Sequence, residues 1–349
     1  SPTSILTPQK YFEAITYSGN GSARSITGLE FKPDFVWIKE RTAGTNSSHR
    51  AFDIIRGAGN VLLPDGTNAE LDRPTELTSF DTNGFSLGDA TTVNENGSTV
   101  VAWCWKAGGT AVTNNDGSIT SSVSANQEAG FSIVVYTGNG SAGGGGTIGH
   151  GLGKIPNIMF VKNRADASNW SGNGNAGGRL IYGTNKIYLH SGSGLLSDTN
   201  EVTAATSTTF TVTDSGATNG QNDSHVAYCW VSVPGFSKFD VYTGNGSSEG
   251  AYVHLGFRPA CIIIFNTSAT TGHVHYDNKR SPINHVDKFL LPSAVNAEAS
   301  GQNEVDFLSS GFKHRSADNK VNSGNKKYVY MAWAEQPGTT PFDAFPSAR

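Results

Sequence analysis

The stretch Ile15–Ala23 reads ITYSGNGSA, and closely similar stretches begin at Val134 (VVYTGNGSA) and Asp240 (DVYTGNGSS). Self-similarity at a regular spacing indicates a repeat architecture, in which each copy is one folding unit. Each copy continues with an apolar run that opens at a proline, and it closes on a strand of the form V-x-x-x-W. The shared residues are Tyr17, Tyr136, Tyr242, Pro33, Pro156, Pro259, Trp105, Trp230 and Trp333. We assign these residues to the fold and look for function where the copies differ.

The tyrosine and the closing tryptophan of one copy lie 88, 94 and 91 positions apart in the three copies. Units of this size can bury a core of their own. The sequence therefore predicts a lead-in segment (1–11), repeat 1 (12–106), a linker or exposed hairpin (107–130), repeat 2 (131–234), repeat 3 (235–335) and an extended C-terminal tail (336–349).

The composition favours strands and turns over helices. Glycine is abundant, at 42 of 349 residues, and only 15% of the residues are charged. Ser, Thr and Asn are frequent, and these residue types favour turns and extended segments. We predict an all-β fold of three tandem antiparallel β-sandwich modules of jelly-roll-like type. The V-x-x-x-W strand is apolar on both faces, which predicts a central strand buried between layers.

Charge and hydropathy exclude two classes of partner. The formal net charge of −4 leaves no basic stripe, so we expect no nucleic-acid binding. No apolar run approaches the roughly 20 residues of a membrane-spanning helix, so we expect no membrane insertion. Cys104, Cys229 and Cys261 lie in apolar strands, which predicts small, reduced, buried side chains and assembly in a reducing cytoplasm.

One stretch matches a nucleotide-binding motif by composition alone. GNGSAG, from Gly138 to Gly143, fits G-x-G-x-x-G directly after a strand, but the dinucleotide fingerprint requires a helix next, and here more glycine follows. The sister copies read GNGSAR and GNGSSE, without the third glycine. Because no catalytic motif is recognisable either, we expect a protein without cofactor or enzymatic activity.

The stretch GHVHYDN in repeat 3 is a weak candidate for a metal site. His273, His275 and Asp277 would share one face of a strand, because strand side chains repeat every two residues. Three such side chains, with His285 as a fourth, could ligate a metal ion. The alternative is a polar strand face in water, and we favour that interpretation.

Two polar loops are candidates for glycan contact. Trp170 lies in ADASNWSGNG, and an indole ring among amides is typical of loops that stack on sugars and bond their hydroxyl groups. Asn169 and Asn173 flank it, and His49 lies in a similar stretch, TNSSHRAF. The alternative is that Trp170 folds back onto its own module.

Long phrases of the chain resemble virion structural proteins of tailed bacteriophages, of the marine and cyanophage type labelled tail fibre. The phrases include YSGNGSARSITGLEFKPDFVWIKERT, VAWCWKAGGTAV, GHGLGKIPNIMFVKNR and YVYMAWAEQP, and they extend from about residue 12 to 337. The resemblance implies a non-enzymatic, β-rich protein on the virion surface, assembled in the host cytoplasm beside other virion proteins. The chain departs from the usual fibre because no heptad stalk, collagen-like repeat or tail-anchoring domain is recognisable.

Three functions follow from these observations. The leading hypothesis is host attachment by a tail-fibre-like protein, whose loops contact a host cell-surface glycan. The alternative is a capsid decoration or knob protein that works through protein–protein contacts. A carbohydrate-active enzyme is a minor third hypothesis. A homotrimer is expected by analogy with other phage surface proteins alone.

Overall fold

The structure is a computed structural model, which describes residues 7–42, 47–140, 145–197, 200–268 and 270–335. The predicted tail (336–349) and residues 1–6 of the lead-in lie outside the described residues. Within the described ranges, helical structure is limited to a 3-10 turn at Pro8–Lys10 and two single turns, α1 (Thr91–Asn94) and α2 (Gly216–Asn219). None of these helices is long or apolar enough to cross a membrane. Strands form nearly all the remaining regular structure, as the composition predicts.

Repeat 1 contributes three sheets. Strands β1, β9, β3 and β4 form an antiparallel sheet in that order, β2, β8 and β7 form a second one, and β5 pairs with β6. The strands are β1 (Phe12–Ser18), β2 (Arg24–Thr27), β3 (Phe35–Glu40), β4 (Arg50–Asp53), β5 (Asn60–Val61), β6 (Leu71–Asp72), β7 (Leu77–Asp81), β8 (Gly84–Leu87) and β9 (Thr99–Trp105).

Residues 107–234 build the largest sheet. Its order is β10-β11-β12-β21-β14-β15-β17-β18, with β16 paired to β15, and β13, β20 and β19 form a separate sheet. The strands are β10 (Val112–Asn114), β11 (Ser121–Asn126), β12 (Phe131–Thr137), β13 (Gly146–Gly149), β14 (Ile158–Asn163), β15 (Ser171–Ala176), β16 (Leu180–Ile181), β17 (Asn185–Tyr188), β18 (Leu196–Ser197), β19 (Val202–Ala205), β20 (Thr209–Val212) and β21 (Ser224–Trp230). The segment left open as linker or exposed hairpin therefore carries β10 and β11, which extend this sheet.

Repeat 3 has the same four-stranded and three-stranded sheets as repeat 1. Strands β22, β28, β24 and β25 form one sheet, and β23, β27 and β26 form the other. The strands are β22 (Ser237–Thr243), β23 (Tyr252–His254), β24 (Pro259–Asn266), β25 (Val274–Asp277), β26 (Val305–Leu308), β27 (Gly311–His314) and β28 (Lys327–Ala334).

The closing V-x-x-x-W strands β9, β21 and β28 each lie in the interior of their sheet, paired on both sides. Six of the seven residues in β9 and in β21 are buried, as are seven of the eight in β28. The prediction of central, buried strands is therefore confirmed. The three cysteines are also buried and free, as their apolar surroundings predict.

The two faces of each closing strand pack into different cores. In β9, Val100, Ala102 and Cys104 join a cluster made of repeat 1 alone. The opposite face, with Trp103 and Trp105, joins a cluster that contains side chains of all three repeats. The indole rings of Trp105 and Trp230 lie 5.3 and 6.4 Å from that of Trp333. The repeats therefore share one aromatic core, which we call the common core.

The Y-x-G-N-G turn is held in the same way in every repeat. The tyrosine hydroxyl donates to a backbone carbonyl, and a buried asparagine accepts from the backbone N–H of the turn asparagine. The pairs are Tyr17 with Val93 and Asn20 with Asn94, Tyr136 with Thr218 and Asn139 with Asn219, and Tyr242 with Val321 and Asn245 with Asn322. The sequence pattern did not identify the buried asparagines Asn94, Asn219 and Asn322, although each lies 11 positions before its closing tryptophan.

Candidate functional site

Three residues that the sequence analysis selected for different reasons occupy one equivalent position. In equivalent strand pairs of the three repeats, Trp37 lies opposite Ala51, Phe160 opposite Gly172 and Ile263 opposite His275. Two positions before these residues stand His49, Trp170 and His273. His49 and Trp170, predicted for glycan contact, and His273, a candidate metal ligand, thus occupy the same position in the three repeats.

Each residue at this position hydrogen-bonds a backbone carbonyl of a different repeat. Trp170 Nε1 donates to Leu63 O at 2.8 Å, His49 Nε2 lies 3.1 Å from Leu291 O, and His273 Nε2 lies 2.9 Å from Tyr188 O. Repeat 2 thus contacts repeat 1, repeat 1 contacts repeat 3, and repeat 3 contacts repeat 2. We call these contacts the first, second and third seams. The three contacts thus close a cycle, in which each repeat contacts the other two.

The prediction of an exposed Trp170 is wrong. The side chain is 1% exposed, and its ring stacks on Tyr228 with centroids 6.2 Å apart. The physical reason is that the indole N–H finds an acceptor across the first seam while the ring enters the common core. His49 and Asn173 are also fully buried, which removes them from glycan contact. Asn169 is partly exposed and remains available.

The hydrogen bonds of His49 define its protonation state. Trp37 Nε1 donates to His49 Nδ1 at 2.8 Å, so the imidazole is neutral and its own N–H faces Leu291 O. Burial, together with the charge of Lys39, lowers the pKa of His49 well below its usual value. The residue therefore works as a neutral donor at the second seam.

The prediction of a water-exposed polar face at His273, His275 and Asp277 is also wrong. All three side chains are fully buried. The reason is that β25 extends the β24-β28 sheet, so its inner face meets the other repeats: the ring of His275 stacks on Trp103 at 3.8 Å. Among the described residues, no three His, Cys, Asp or Glu side chains come together to hold a metal ion. The fourth candidate, His285, is half-exposed on its side chain.

The buried contact between Cys261 and His275 does not form a nucleophile–base pair. The Sγ atom lies 3.0 Å from Nε2. Burial raises the pKa of the Cys261 thiol well above its usual value and lowers the pKa of His275 well below its own. Because a reactive cysteine requires an accessible thiolate, both groups have a structural role here.

A buried carboxylate links repeats 1 and 3 at the second seam. Asp277 Oδ2 accepts from Arg280 Nε at 2.6 Å and from Trp103 Nε1 at 3.0 Å. Glu298 then bridges Arg280 at 3.4 Å and Arg41 at 2.8 Å. Two arginines, two carboxylates and one indole N–H thus form one continuous network.

The first seam contains the same network at equivalent positions. Asp53 binds Arg56 and accepts from the Tyr228 hydroxyl at 2.7 Å. Glu70 bridges Arg56 at 2.9 Å and Arg164 at 2.7 Å. Burial would lower the pKa of Arg56, but Asp53 and its neighbours raise it overall. Burial would raise the pKa of Glu70, but the two arginines hold it below its usual value.

The third seam has lost the whole network. Its five equivalent positions hold Gly174, Gly177, Met331, Leu195 and Thr267. The backbone bond that accompanies the network in the first seam is kept, from Leu195 N to Thr267 O at 3.2 Å, which matches Glu70 N to Arg164 O at 2.9 Å. A joint replacement is expected, because one uncompensated buried charge costs about 3–5 kcal/mol. The sequence signal for the intact networks is D-x-x-R, at Asp53 and Asp277.

Two lysines at equivalent positions are buried at the rim of the common core. Lys39 Nζ donates to Glu40 O at 2.7 Å, and Lys162 Nζ donates to Asn163 O at 2.5 Å. Burial lowers the pKa of each amine to about 8. Because both side chains are fully buried, they support the rim of the core and are not accessible to a substrate.

The cavity in the common core offers no ligand site. Its volume is about 20 Å³, and Trp105, Trp230 and Trp333 lie in its wall. Such a volume holds at most one water molecule, and an apolar cavity stays dry. The chemistry of the described core is therefore devoted to joining the repeats.

The fold and the seams define an all-β protein whose internal repeats close around a common core. The chain matches a family described as Domain of unknown function (DUF7483) over residues 7–337, and it belongs to this family. A comparison with curated proteins gives no match.

Proposed function

We propose that the chain is a non-enzymatic bacteriophage surface protein, tail-fibre-like, that acts in host attachment. The single observation that carries the proposal is the use of buried polar groups: His49, His273, Asp53 and Asp277 all join repeats to one another. A body fixed in this way is a rigid support for variable surface loops, which are the usual location of binding residues. The resemblance over residues 12–337 is the basis for proposing a bacteriophage particle and a role in attachment.

In this proposal the body consists of three tandem antiparallel β-sandwich modules of jelly-roll-like type, over 12–106, 131–234 and 235–335. The support is the recurrence of the same four-strand order and of a three-stranded second sheet in each repeat. Each repeat also has a hydrophobic cluster of its own, apart from the common core. Two sheets and a separate hydrophobic cluster in each repeat support the two-layer arrangement that a sandwich requires.

The burial of Trp170 moves the proposed glycan contact to another aromatic residue. Tyr252 on β23 is 48% exposed, and its hydroxyl lies 2.7 Å from Ser310 Oγ and 3.4 Å from His254 Nδ1. An exposed aromatic ring beside polar groups can stack on a sugar face while the polar groups bond its hydroxyls. Tyr252 and the partly exposed Asn169 are therefore the residues we propose for this contact.

Binding of the labelled protein to host cells tests host attachment. We expect saturable binding that Tyr252→Ala reduces, while Ile283→Ala, at another exposed apolar residue, leaves it unchanged. Absence of binding, together with normal adsorption of particles that lack the protein, would exclude the proposal.

The alternative is a capsid decoration protein, and one observation favours it. In the cyclic order of the seams each repeat contacts the other two, as three subunits do at a threefold position on a capsid. Electron microscopy of particles that carry the labelled protein distinguishes tail from capsid. Glycan turnover by the purified protein would instead support a carbohydrate-active enzyme.

A further inference from the structure

The second sheet of repeat 3 carries a row of four side chains that crosses its strands. Tyr252 on β23 lies opposite Lys313 on β27, and Lys313 lies opposite Asp306 on β26. A β-bridge beside β26 continues the order and brings His285 Nδ1 to 2.6 Å from Asp306 Oδ1. Because neighbouring strands lie about 4.8 Å apart, the row is roughly 14 Å long. We call these four residues the outer row.

The outer row faces away from the core of repeat 3. The residues that alternate with it along the strands, Val253, Phe307 and Phe312, belong to the buried cluster of this repeat. Since neighbouring side chains of a strand point to opposite faces, the row lies on the other face of the sheet. Tyr252 is 48% exposed, and the side chain of His285 is 49% exposed. Both ends of the row are therefore open to a ligand.

The other two repeats have no such row. The buried phenylalanine of the middle strand is kept in all three repeats, as Phe85, Phe210 and Phe312, and it aligns the three sheets. The positions equivalent to Asp306, Lys313 and Tyr252 hold small side chains, namely Ser79, Ser86 and Ser25 in repeat 1 and Ala204, Thr211 and Thr147 in repeat 2. The fold thus does not require large or charged residues here, which leaves the outer row to a function of repeat 3.

The aromatic end of the outer row is held in place. The Tyr252 hydroxyl lies 2.7 Å from Ser310 Oγ and 3.4 Å from His254 Nδ1. Lys238 Nζ donates to His254 O at 2.8 Å, which adds further N–H donors at this end. A ring fixed in this way loses little conformational entropy when a sugar stacks on it.

The other end of the outer row offers a hydrogen-bond acceptor. A carboxylate only accepts hydrogen bonds, so His285 Nδ1 carries a proton and donates it to Asp306. In the neutral imidazole, Nε2 is then an acceptor. Because half of the His285 side chain is exposed, a sugar hydroxyl can reach this atom and donate to it.

The charges between the two ends neutralise one another. Lys313 Nζ lies 2.8 Å from Glu249, and Arg315 contacts Glu249 at 3.1 Å and Asp306 at 2.6 Å. Two cations and two carboxylates leave no excess charge in the middle of the row. An anionic ligand would have to compete with Glu249 for the cations, whereas hydroxyl groups can donate to the carboxylates and accept from the N–H groups. The middle of the row therefore favours a neutral ligand with many hydroxyl groups.

We propose that the outer row binds a neutral oligosaccharide that runs across the strands from Tyr252 to His285. One sugar stacks on the ring of Tyr252, and a hydroxyl of a more distant sugar donates to His285 Nε2. The length of the row exceeds that of a single sugar, so both ends are filled only by an oligomer. This assignment rests on the proposed function, because it names the class of glycan that Tyr252 contacts.

Binding of defined sugars to the full chain tests both the charge and the length. The probes are labelled oligomers of glucose, galactose, mannose and N-acetylglucosamine, from monosaccharide to tetrasaccharide. Counterparts of the hexose series have the C6 hydroxyl oxidised to a carboxylate. We expect at least one neutral hexose series to bind, with the trisaccharide at least about tenfold tighter than the monosaccharide and than its own oxidised counterpart.

Three variants separate the two ends of the row. We expect Tyr252→Ala to weaken binding of the trisaccharide at least about tenfold. His285→Ala should weaken the trisaccharide at least about fivefold and the monosaccharide less than about twofold, because the monosaccharide does not reach it. Ser25→Ala, at the exposed equivalent of Tyr252 in repeat 1, is the control and should change neither. Urea midpoints show whether each variant has kept its fold.

Four results would overturn the proposal. They are no binding by any neutral oligomer, tighter binding of the oxidised counterparts, no gain in affinity from monosaccharide to trisaccharide, and equal binding by Tyr252→Ala and the unaltered protein. If a variant does not fold, amide NMR shifts of the unaltered protein with the trisaccharide decide, and we expect them to change on β23 and β27.

Host attachment and the outer row can fail separately. Saturable binding to host cells without binding to any neutral oligomer would leave host attachment standing and remove the outer row as its site. Binding to a neutral oligomer without binding to host cells would do the reverse.

Discussion

The hydroxyl group of Tyr228 donates a 2.7 Å hydrogen bond to Oδ2 of Asp53, although the two residues belong to different repeats and lie 175 positions apart. Both side chains are fully buried, and the same carboxylate binds Arg56. A single buried carboxylate thus links the strand end of one repeat to the central strand of the next. Trp103 and Asp277 repeat the relationship at the second seam, at 3.0 Å.

Loss of the Tyr228 hydroxyl should weaken the first seam. We expect Tyr228→Phe to lower the free energy of unfolding by about 1–3 kcal/mol, because a buried carboxylate loses a donor. Tyr136→Phe removes a hydroxyl that bonds a neutral carbonyl, so we expect a smaller loss, about 0.5–1.5 kcal/mol. Urea unfolding measures both, and an equal loss for the two variants would contradict a special role for Asp53.

Asp277 and Arg280 should be energetically coupled. Each single replacement, Asp277→Ala or Arg280→Met, removes the nearest opposite charge from a fully buried side chain and should cost about 3–5 kcal/mol. The double replacement should cost less than the sum of the two, by roughly 1–3 kcal/mol. A double-mutant cycle measures this coupling. Additive losses would contradict the coupling that we infer from the joint replacement of the network at the third seam. Glu249→Ala, at an exposed ion pair, is the control and should have no measurable effect.

Acid should destabilise the protein between about pH 6.5 and pH 4. Burial lowers the pKa of His273 to about 4 and the pKa of His49 and His275 well below the usual value. Since the unfolded state binds these protons first, their stabilising contribution is complete above about pH 6.5 and falls as the pH decreases. Each such histidine should lower the free energy of unfolding by roughly 1–2 kcal/mol at pH 5.5. Urea midpoints at pH 7.5 and 5.5 test this, and equal midpoints would contradict it.

The buried asparagines should stabilise the repeated turn. We expect Asn219→Ala to cost about 1–3 kcal/mol, because it removes the acceptor for Asn139 N and the donor to Asn139 Oδ1. Asn175→Ala, at an exposed position, is the control. Thermal unfolding of both variants measures the difference. A loss below about 0.5 kcal/mol for Asn219→Ala would show that the turn forms without the asparagine.

The closing tryptophans should contribute much of the stability of the common core. Trp105 is 2% exposed, so Trp105→Ala should cost about 3–5 kcal/mol. Ile283→Ala, at a residue that is 77% exposed, should change stability little. Chemical denaturation compares the two variants, and a loss under about 1 kcal/mol for Trp105→Ala would contradict the packing around Trp333.

The sequence predicts the elements of the fold better than the contacts between repeats. Trp105 and its two counterparts could be placed on central buried strands, because their apolar pattern is local. Trp170 could not, since its neighbours Asn169 and Ser171 are typical of a loop and its acceptor, Leu63, lies 107 positions away. The burial of His273 could not be predicted either, because the carbonyl that its ring contacts belongs to Tyr188 of repeat 2. An internal alignment of the three repeats would have placed both residues at one position.

The most direct test of the common core is whether the three repeats unfold together. Tryptophan fluorescence reports the common core, and amide hydrogen exchange at Val36, Val161 and Ile264 reports one repeat each. We predict a single urea transition with the same midpoint for all four signals, because each seam ties two repeats to the same aromatic cluster. Separate midpoints for the three repeats would contradict the common core as the element that holds the molecule together.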